Sequence, residues 1–170
     1  LILLLLPTVI ATAQGLTPAE KKIVEAVNNN MAETFSLLEK LVNINSGSMN
    51  AKGVQQSGEL VRNELDKIGF STQWIGMPDS LKHPGHLVGM IQGKQGKKLL
   101  LLAHLDTVFE PDMSANPYRV IDDSTATGQG ILDDKGGDIV ILAALQALAK
   151  IGALKGVSIT VYLTGDEEKG

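Results

Sequence analysis

Three short polar clusters contain the residues of this chain that could carry out chemistry. They are the His-x-Asp pair His104 and Asp106, the acidic pair 133–134 and the acidic run 166–168. Considered singly, each has an ordinary structural explanation, because a histidine can end a strand and acidic residues can cap a helix or lie in a solvated turn. If the three clusters converged, however, several carboxylates would surround one imidazole. They would repel one another unless a cation neutralised them.

The types of donor atom predict which cation this would be. The chain has no cysteine, so thiolate ligands, disulfides and a cysteine nucleophile are all excluded. Imidazole and carboxylate groups without thiolates suit Zn²⁺ or a similar divalent ion. A carboxylate can also bridge two such ions at about 3.5–4 Å, which is the arrangement of two-metal hydrolases. The clusters therefore predict a site for one or two divalent metal ions.

Other chemistries fit the sequence less well. The glycine-flanked run 128–137, GQGILDDKGG, has neither the Walker A spacing nor the G-x-G-x-x-G spacing of a nucleotide-binding loop. No G-x-S-x-G motif is present, which disfavours a serine hydrolase. The net charge of -4 gives no sign of a basic surface, so nucleic acid is not expected as a partner.

The segment 97–110, KKLLLLAHLDTVFE, shows which element would position the first cluster. Its apolar run ends at His104, and side chains two apart in a strand share a face, so His104 and Asp106 would emerge together. Continuous apolar runs are typical of buried strands, and open α/β sheets bind their ligands beyond the carboxyl ends of such strands. Residues 86–92 and 98–104, which flank a polar loop, are predicted to pair as a β-hairpin.

The remaining elements alternate between helices and strands. A capping box at Thr17 and Glu20, with Pro18 at the first helical position, begins a helix whose apolar spacing continues to Val42. Further predicted elements are a helix over 54–68, strands over 70–77 and 118–121, a helix over 134–150 and a strand over 157–163. With 44% hydrophobic and 20% charged residues, the 170 residues suffice for one layered α/β domain.

Residues 1–13 are interpreted as part of a secretory signal peptide. An apolar stretch, LILLLL, precedes the small-x-small sequence Ala11-Thr12-Ala13, which places cleavage before Gln14. The apolar stretch is too short to span a bilayer, so no stable membrane span is expected. An N-terminal anchor and a buried strand are the alternatives. The interpretation predicts a secreted or periplasmic protein.

The three clusters also resemble the successive motifs of a known family. HLDTV at 104–108, GQGILDDKGG at 128–137 and TGDEEKG at 164–170 are similar to the signatures of the M20 family of metallopeptidases, nearest to its glutamate carboxypeptidase branch. The M28 aminopeptidases share His-x-Asp and Glu-Glu, but the Asp-Lys-Gly-Gly continuation favours M20. The resemblance implies an α/β catalytic domain of the di-zinc exopeptidase type, with a central mixed, largely parallel sheet flanked by helices.

The resemblance further implies a role for individual residues of the clusters. His104, Asp133 and Glu168 would be metal ligands in a site that holds two zinc ions, and the peptide bond after Asp133 would be cis. Asp106 would orient the His104 imidazole and make it more basic. Glu167 would be the general base that takes a proton from the attacking water.

The activity implied is hydrolysis of a peptide or N-acyl amide bond by a zinc carboxypeptidase that acts on a small peptide or N-acyl amino acid. An aminoacylase or N-deacetylase of the same fold is one alternative, and a non-catalytic metal-binding relative is another. Residues 14–170 would form the N-terminal part of the catalytic domain. Another acidic ligand, a second His, the C-terminal catalytic part and a lid domain that forms a homodimer would follow Gly170. Residues 1–170 alone are therefore expected to be inactive, and Lys135 is expected to pair with nearby carboxylates.

Overall fold

A computed structural model describes residues 15–81 and 83–169. The elements in chain order are α1 (Pro18–Val42), α2 (Ala51–Lys67), β1 (Ser71–Ile75), β2 (His86–Ile91), β3 (Lys98–His104), β4 (Arg119–Asp122), β5 (Thr125–Thr127), α3 (Gly136–Lys150) and β6 (Ser158–Thr164). Within these residues no helix is both long and apolar enough to cross a membrane. The signal-peptide prediction falls on residues 1–13, which lie outside the described residues.

The helices lie close to their predicted positions because local sequence signals set their ends. At the start of α1 the Glu20 N–H donates to the Thr17 hydroxyl, and the Thr17 N–H donates to the Glu20 carboxylate. Asn50 caps α2, since its side chain accepts from the Gly53 N–H. An irregular turn, Ile131–Lys135, precedes α3, so the regular helix begins at Gly136 rather than at residue 134.

Four strands form one mixed sheet in the order β1–β2–β6–β3. β6 is antiparallel to β2 and parallel to β3, and β1 is antiparallel to β2. The predicted β-hairpin of residues 86–92 and 98–104 is therefore wrong, because β6 takes the position between β2 and β3. The mixed α/β sheet is confirmed. Its parallel share is smaller than predicted, since among the described strands only β3 and β6 run parallel. The sequence patterns also missed β5, which pairs with β4 in a separate two-stranded sheet.

β3 lies at an edge of the four-stranded sheet, and its leucines are not buried as the apolar run predicted. Leu99, Leu100 and Leu102 are 52%, 59% and 65% exposed. The core covers the face that carries Leu101 and Ala103. An apolar run shows that both faces of a strand favour burial, but whether they are buried depends on the elements that cover them.

The hydrophobic core lies between the helices and one face of the sheet. Its buried side chains come mainly from α2, α3, β2 and β6, and include Val54, Val61, Leu65, Leu87, Ile139, Leu142, Leu145, Ile159, Val161 and Leu163. Along β6 buried and half-buried side chains alternate, as expected for a strand with one face against the core. The parallel pairing of β3 and β6 places His104 opposite Thr164, so the residues that follow both strands emerge side by side.

Candidate metal centre

The carboxyl ends of β3 and β6 bring two of the three polar clusters together. The Leu105 N–H donates to the Thr164 carbonyl at 2.7 Å, which extends the pairing one residue beyond His104. Asp106 then follows one strand, and the acidic turn 165–169 follows the other. This is the edge at which open α/β sheets generally bind their ligands.

Asp106 joins the two segments through its fully buried carboxylate. The carboxylate accepts from the backbone N–H of Glu167 at 3.0 Å and of Glu168 at 3.1 Å. The Ser48 hydroxyl, from the loop before α2, donates to it at 2.6 Å. Burial acts to raise the pKa of Asp106, but hydrogen bonds from His104, Ser48 and the two N–H groups together lower it. Asp106 is therefore a stable anion that holds both sides of the site.

Ser48 is a residue of the site that the sequence reasoning missed. Its loop is polar by composition, and nothing in that composition points to a carboxylate 58 positions later. The Thr107 N–H donates to the Ser46 carbonyl at 2.9 Å, which holds the loop beside the segment that follows β3. This long-range contact brings the Ser48 hydroxyl to Asp106.

His104 presents one ring nitrogen to Asp106 and the other to the second cluster. Its Nδ1 lies 3.1 Å from the Asp106 backbone carbonyl and 3.4 Å from the carboxylate, so the carbonyl is the closer acceptor. Its Nε2 lies 2.9 Å from Asp133 Oδ1. The Asp106 carboxylate raises the pKa of His104 to about 10. Burial opposes this shift, and Asp133 adds to it. In the metal-free protein the ring is therefore a cation among carboxylates.

Glu167 and Glu168 complete a group of possible ligand atoms. One atom from each of His104, Glu167 and Glu168 lies within 4.8 Å of the other two. Burial, followed by the charge of Asp133, raises the pKa of Glu168. Because Asp133 also faces His104, all three sequence clusters meet at one place.

The fold separates the two aspartates of the second cluster. The Asp133 side chain is 75% exposed and faces His104. Asp134 lies over Gly137 in the first turn of α3, where any side chain in place of glycine would collide with its carboxylate. Burial is the main cause that raises the pKa of Asp134. The peptide bond between the two aspartates is cis, as the family resemblance implies.

The expectation that Lys135 pairs with nearby carboxylates is wrong. Its ammonium is buried and donates to the backbone carbonyls of Leu41 at 2.9 Å and Ile44 at 2.6 Å, at the carboxyl end of α1. Burial lowers the pKa of Lys135 to about 8. The last carbonyls of a helix lack partners within the helix, and a lysine can satisfy them. Lys135 therefore links the irregular turn Ile131–Lys135, which contains Asp133, to the carboxyl end of α1 by two hydrogen bonds.

These donors fit a divalent cation. One atom from each of His104, Glu167 and Glu168 faces a common space, and the Asp133 carboxylate contacts His104 Nε2 beside it. These neighbouring carboxylates favour a positive charge there. Nitrogen and oxygen are both ligand atoms that zinc accepts. The other ring nitrogen of His104 is held by Asp106, as is usual for metal-binding histidines. The arrangement can hold a metal ion beside carboxylates that accept protons.

Comparison with known proteins supports this interpretation. Residues 100–170 match the sequence model of peptidase family M20/M25/M40. Carboxypeptidase G2 from Pseudomonas sp. (strain RS-16) is 39% identical over 168 residues, which are 95% of this chain and 40% of that protein. Succinyl-diaminopimelate desuccinylase from Methylobacterium nodulans is 40% identical over 81 residues, which are 45% of this chain and 20% of that protein.

The fold agrees with that of a solved structure. Human carnosine dipeptidase 1 matches with a TM-score of 0.75 and 18% identity, over 91% of this chain and 36% of that chain. At this identity the similarity shows the fold alone. The chain spans about 40% of the length of carboxypeptidase G2. Since the sequence matches and the fold agree with the three motifs, the chain belongs to peptidase family M20/M25/M40.

Proposed function

We propose that this chain belongs to a zinc-dependent carboxypeptidase that hydrolyses a peptide or N-acyl amide bond beside a free carboxylate, with two zinc ions in its complete site. The observation that carries the proposal is the convergence of His104, Asp133, Glu167 and Glu168 beyond the carboxyl ends of β3 and β6. Membership of a peptidase family supports hydrolysis, and the name of the relative at 39% identity supports the carboxypeptidase type.

Each residue of the cluster has a separate task in this proposal. His104 Nε2, Asp133 and Glu168 hold the metal. Zinc, when bound, polarises the scissile carbonyl and lowers the pKa of water toward neutrality. Asp106 fixes the direction of the His104 ring by facing its Nδ1. Glu167 takes a proton from the attacking water and delivers it to the leaving nitrogen, a role that suits an exposed carboxylate on a backbone held by Asp106.

An aminoacylase or N-deacetylase of the same fold is the second candidate. One relative is named as a desuccinylase, and this name supports removal of an N-acyl group. The two activities are distinguished by comparing turnover of an N-blocked dipeptide with turnover of N-acetyl and N-succinyl amino acids. A non-catalytic relative would be expected to have lost part of the cluster, whereas His104, Asp106, Asp133, Glu167 and Glu168 are all present.

The role of Glu167 is tested by Glu167→Gln in the complete, zinc-loaded protein, with Glu25→Gln on the exposed face of α1 as the control. We expect Glu167→Gln to lower kcat by about 10²- to 10⁴-fold, the usual contribution of a general base, with zinc content unchanged. Loss of zinc would show that Glu167 is a ligand. Unchanged turnover would exclude it as the base.

Three further proposals rest on the family resemblance. Residues 1–13 direct the protein to a secreted or periplasmic location. Residues 14–170 form the N-terminal part of the catalytic domain, and later sequence supplies another acidic ligand and a second His. The complete protein is a homodimer formed through a lid domain, and its substrate is a small peptide or N-acyl amino acid.

A further inference from the structure

Glu167 and Glu168 are the two central residues of a turn that begins at Asp166. The Lys169 N–H donates to the Asp166 carbonyl at 3.2 Å and closes the turn. Asp106 accepts from the N–H groups of Glu167 and Glu168, and so holds the middle of the turn. The direction in which the two carboxylates point also depends on how the first residue of the turn is held.

Two histidines lie against the start of this turn. His83 Nδ1 lies 3.4 Å from one carboxylate oxygen of Asp166, and His86 Nδ1 lies 3.8 Å from the other. The Gly165 N–H donates to His86 Nδ1 at 3.3 Å, so His86 binds the backbone beside Asp166 rather than its carboxylate. His83 is the nearer of the two rings to the carboxylate. The His86 ring also packs against Tyr162, with 5.6 Å between the ring centroids.

The segment 83–86, which carries both histidines, is itself firmly held. Trp74 Nε1 donates to the Pro84 carbonyl at 3.0 Å. Gly85 has a φ of +92°, and a Cβ there would collide with a backbone oxygen of β1. A Cβ on Gly165 would collide with the Gly85 carbonyl oxygen. The backbone of this segment therefore packs directly against the backbone at the start of the turn, and neither glycine has room for a side chain.

We propose that His83, through the Asp166 carboxylate, and His86, through the Gly165 backbone, are positioning residues that set how the turn presents Glu167 and Glu168 to the metal. The inference rests on the proposed function and adds residues that the metal-binding cluster does not include. Displacing an active-site group by about 1 Å can lower a rate about 10²-fold. Loss of these contacts therefore changes the ligand geometry and lowers turnover without preventing metal uptake.

The test uses Asp166→Ala and His83→Ala, with Asp123→Ala as the control because Asp123 is an exposed aspartate between β4 and β5. Each variant is made in the complete protein, because residues 1–170 alone are expected to be inactive, and is loaded with Co²⁺ for its visible absorption spectrum and with Zn²⁺ for kinetics. We expect both variants to show a changed Co²⁺ spectrum and a kcat about 10- to 100-fold lower at unchanged KM. The double variant loses no more than Asp166→Ala, because both changes break one contact. His83→Gln, which keeps a donor, recovers most of the kcat.

The inference would be overturned if the variants had the same Co²⁺ spectrum and kcat as Asp123→Ala. It would also be overturned if kcat fell only in proportion to a lower melting temperature. If the unaltered protein takes up Co²⁺ but hydrolyses no substrate, the proposed function fails while the spectra still decide the inference. If it takes up neither Co²⁺ nor Zn²⁺, both fail.

Discussion

Two serines that are equally buried should respond in opposite ways to the same substitution. Ser48 and Ser57 are each 1% exposed. The Ser48 hydroxyl donates to the Asp106 carboxylate at 2.6 Å. The Ser57 hydroxyl, inside α2, has no hydrogen-bond partner in the part of the chain that the structure describes. Ser→Ala therefore removes a strong contact at one position and an unpaired polar group at the other.

The expected magnitudes follow from these contacts. A hydrogen bond to a charged group contributes about 1.5–3 kcal/mol, so Ser48→Ala should lower the free energy of unfolding by that amount. Ser57→Ala should raise it by about 0.5–2 kcal/mol, because the cost of burying an unpaired hydroxyl disappears and alanine favours the helix. The two variants should differ by at least about 2 kcal/mol.

Urea unfolding of the metal-free protein measures this difference. A chelator is included, because bound metal would add its own stabilisation. Trp74, the single tryptophan of the chain, provides the fluorescence signal. If the two variants had equal free energies of unfolding, or if Ser57→Ala were the less stable, the contact between Ser48 and Asp106 would not have the stabilising effect expected of it.

Four further predictions concern His104, Lys135 and the chain's start. Folding raises the pKa of His104 from 6.5 to about 10. His104 should therefore stabilise the metal-free protein fully below pH 6.5, and this stabilisation should be lost as the pH rises through about 10. Urea titrations across this range can detect the loss. Zinc binding at pH 8 should displace that proton, and calorimetry in two buffers should show release of about one proton per site. Lys135→Met should lower the free energy of unfolding by about 2–4 kcal/mol, because two buried carbonyls lose their donor, whereas the exposed Lys155→Met should change it by less than about 0.5 kcal/mol. N-terminal sequencing of the exported protein should begin at Gln14, and retention of residues 1–13 would contradict the signal-peptide proposal.

Several features of this protein follow from the sequence because short-range interactions determine them. The capping box of Thr17 and Glu20 starts α1 through contacts three residues apart, and it predicts the helix correctly. The polar residues at the ends of apolar segments likewise predict the convergence of His104, Asp133 and Glu168. An imidazole and carboxylates that share a site need a cation, whatever path the chain takes between them.

The tertiary structure alone decided which elements became neighbours. β6 pairs with β2 on one side and β3 on the other, and the apolar pattern of β3 was equally compatible with the hairpin that does not form. Ser48 and Lys135 illustrate the same limit. Ser48 bonds to Asp106, which lies 58 residues away in the sequence, and Lys135 bonds to Leu41, which lies 94 residues away. Periodicity and caps report on a few neighbouring residues, whereas strand order and buried hydrogen bonds depend on the packing of the whole domain.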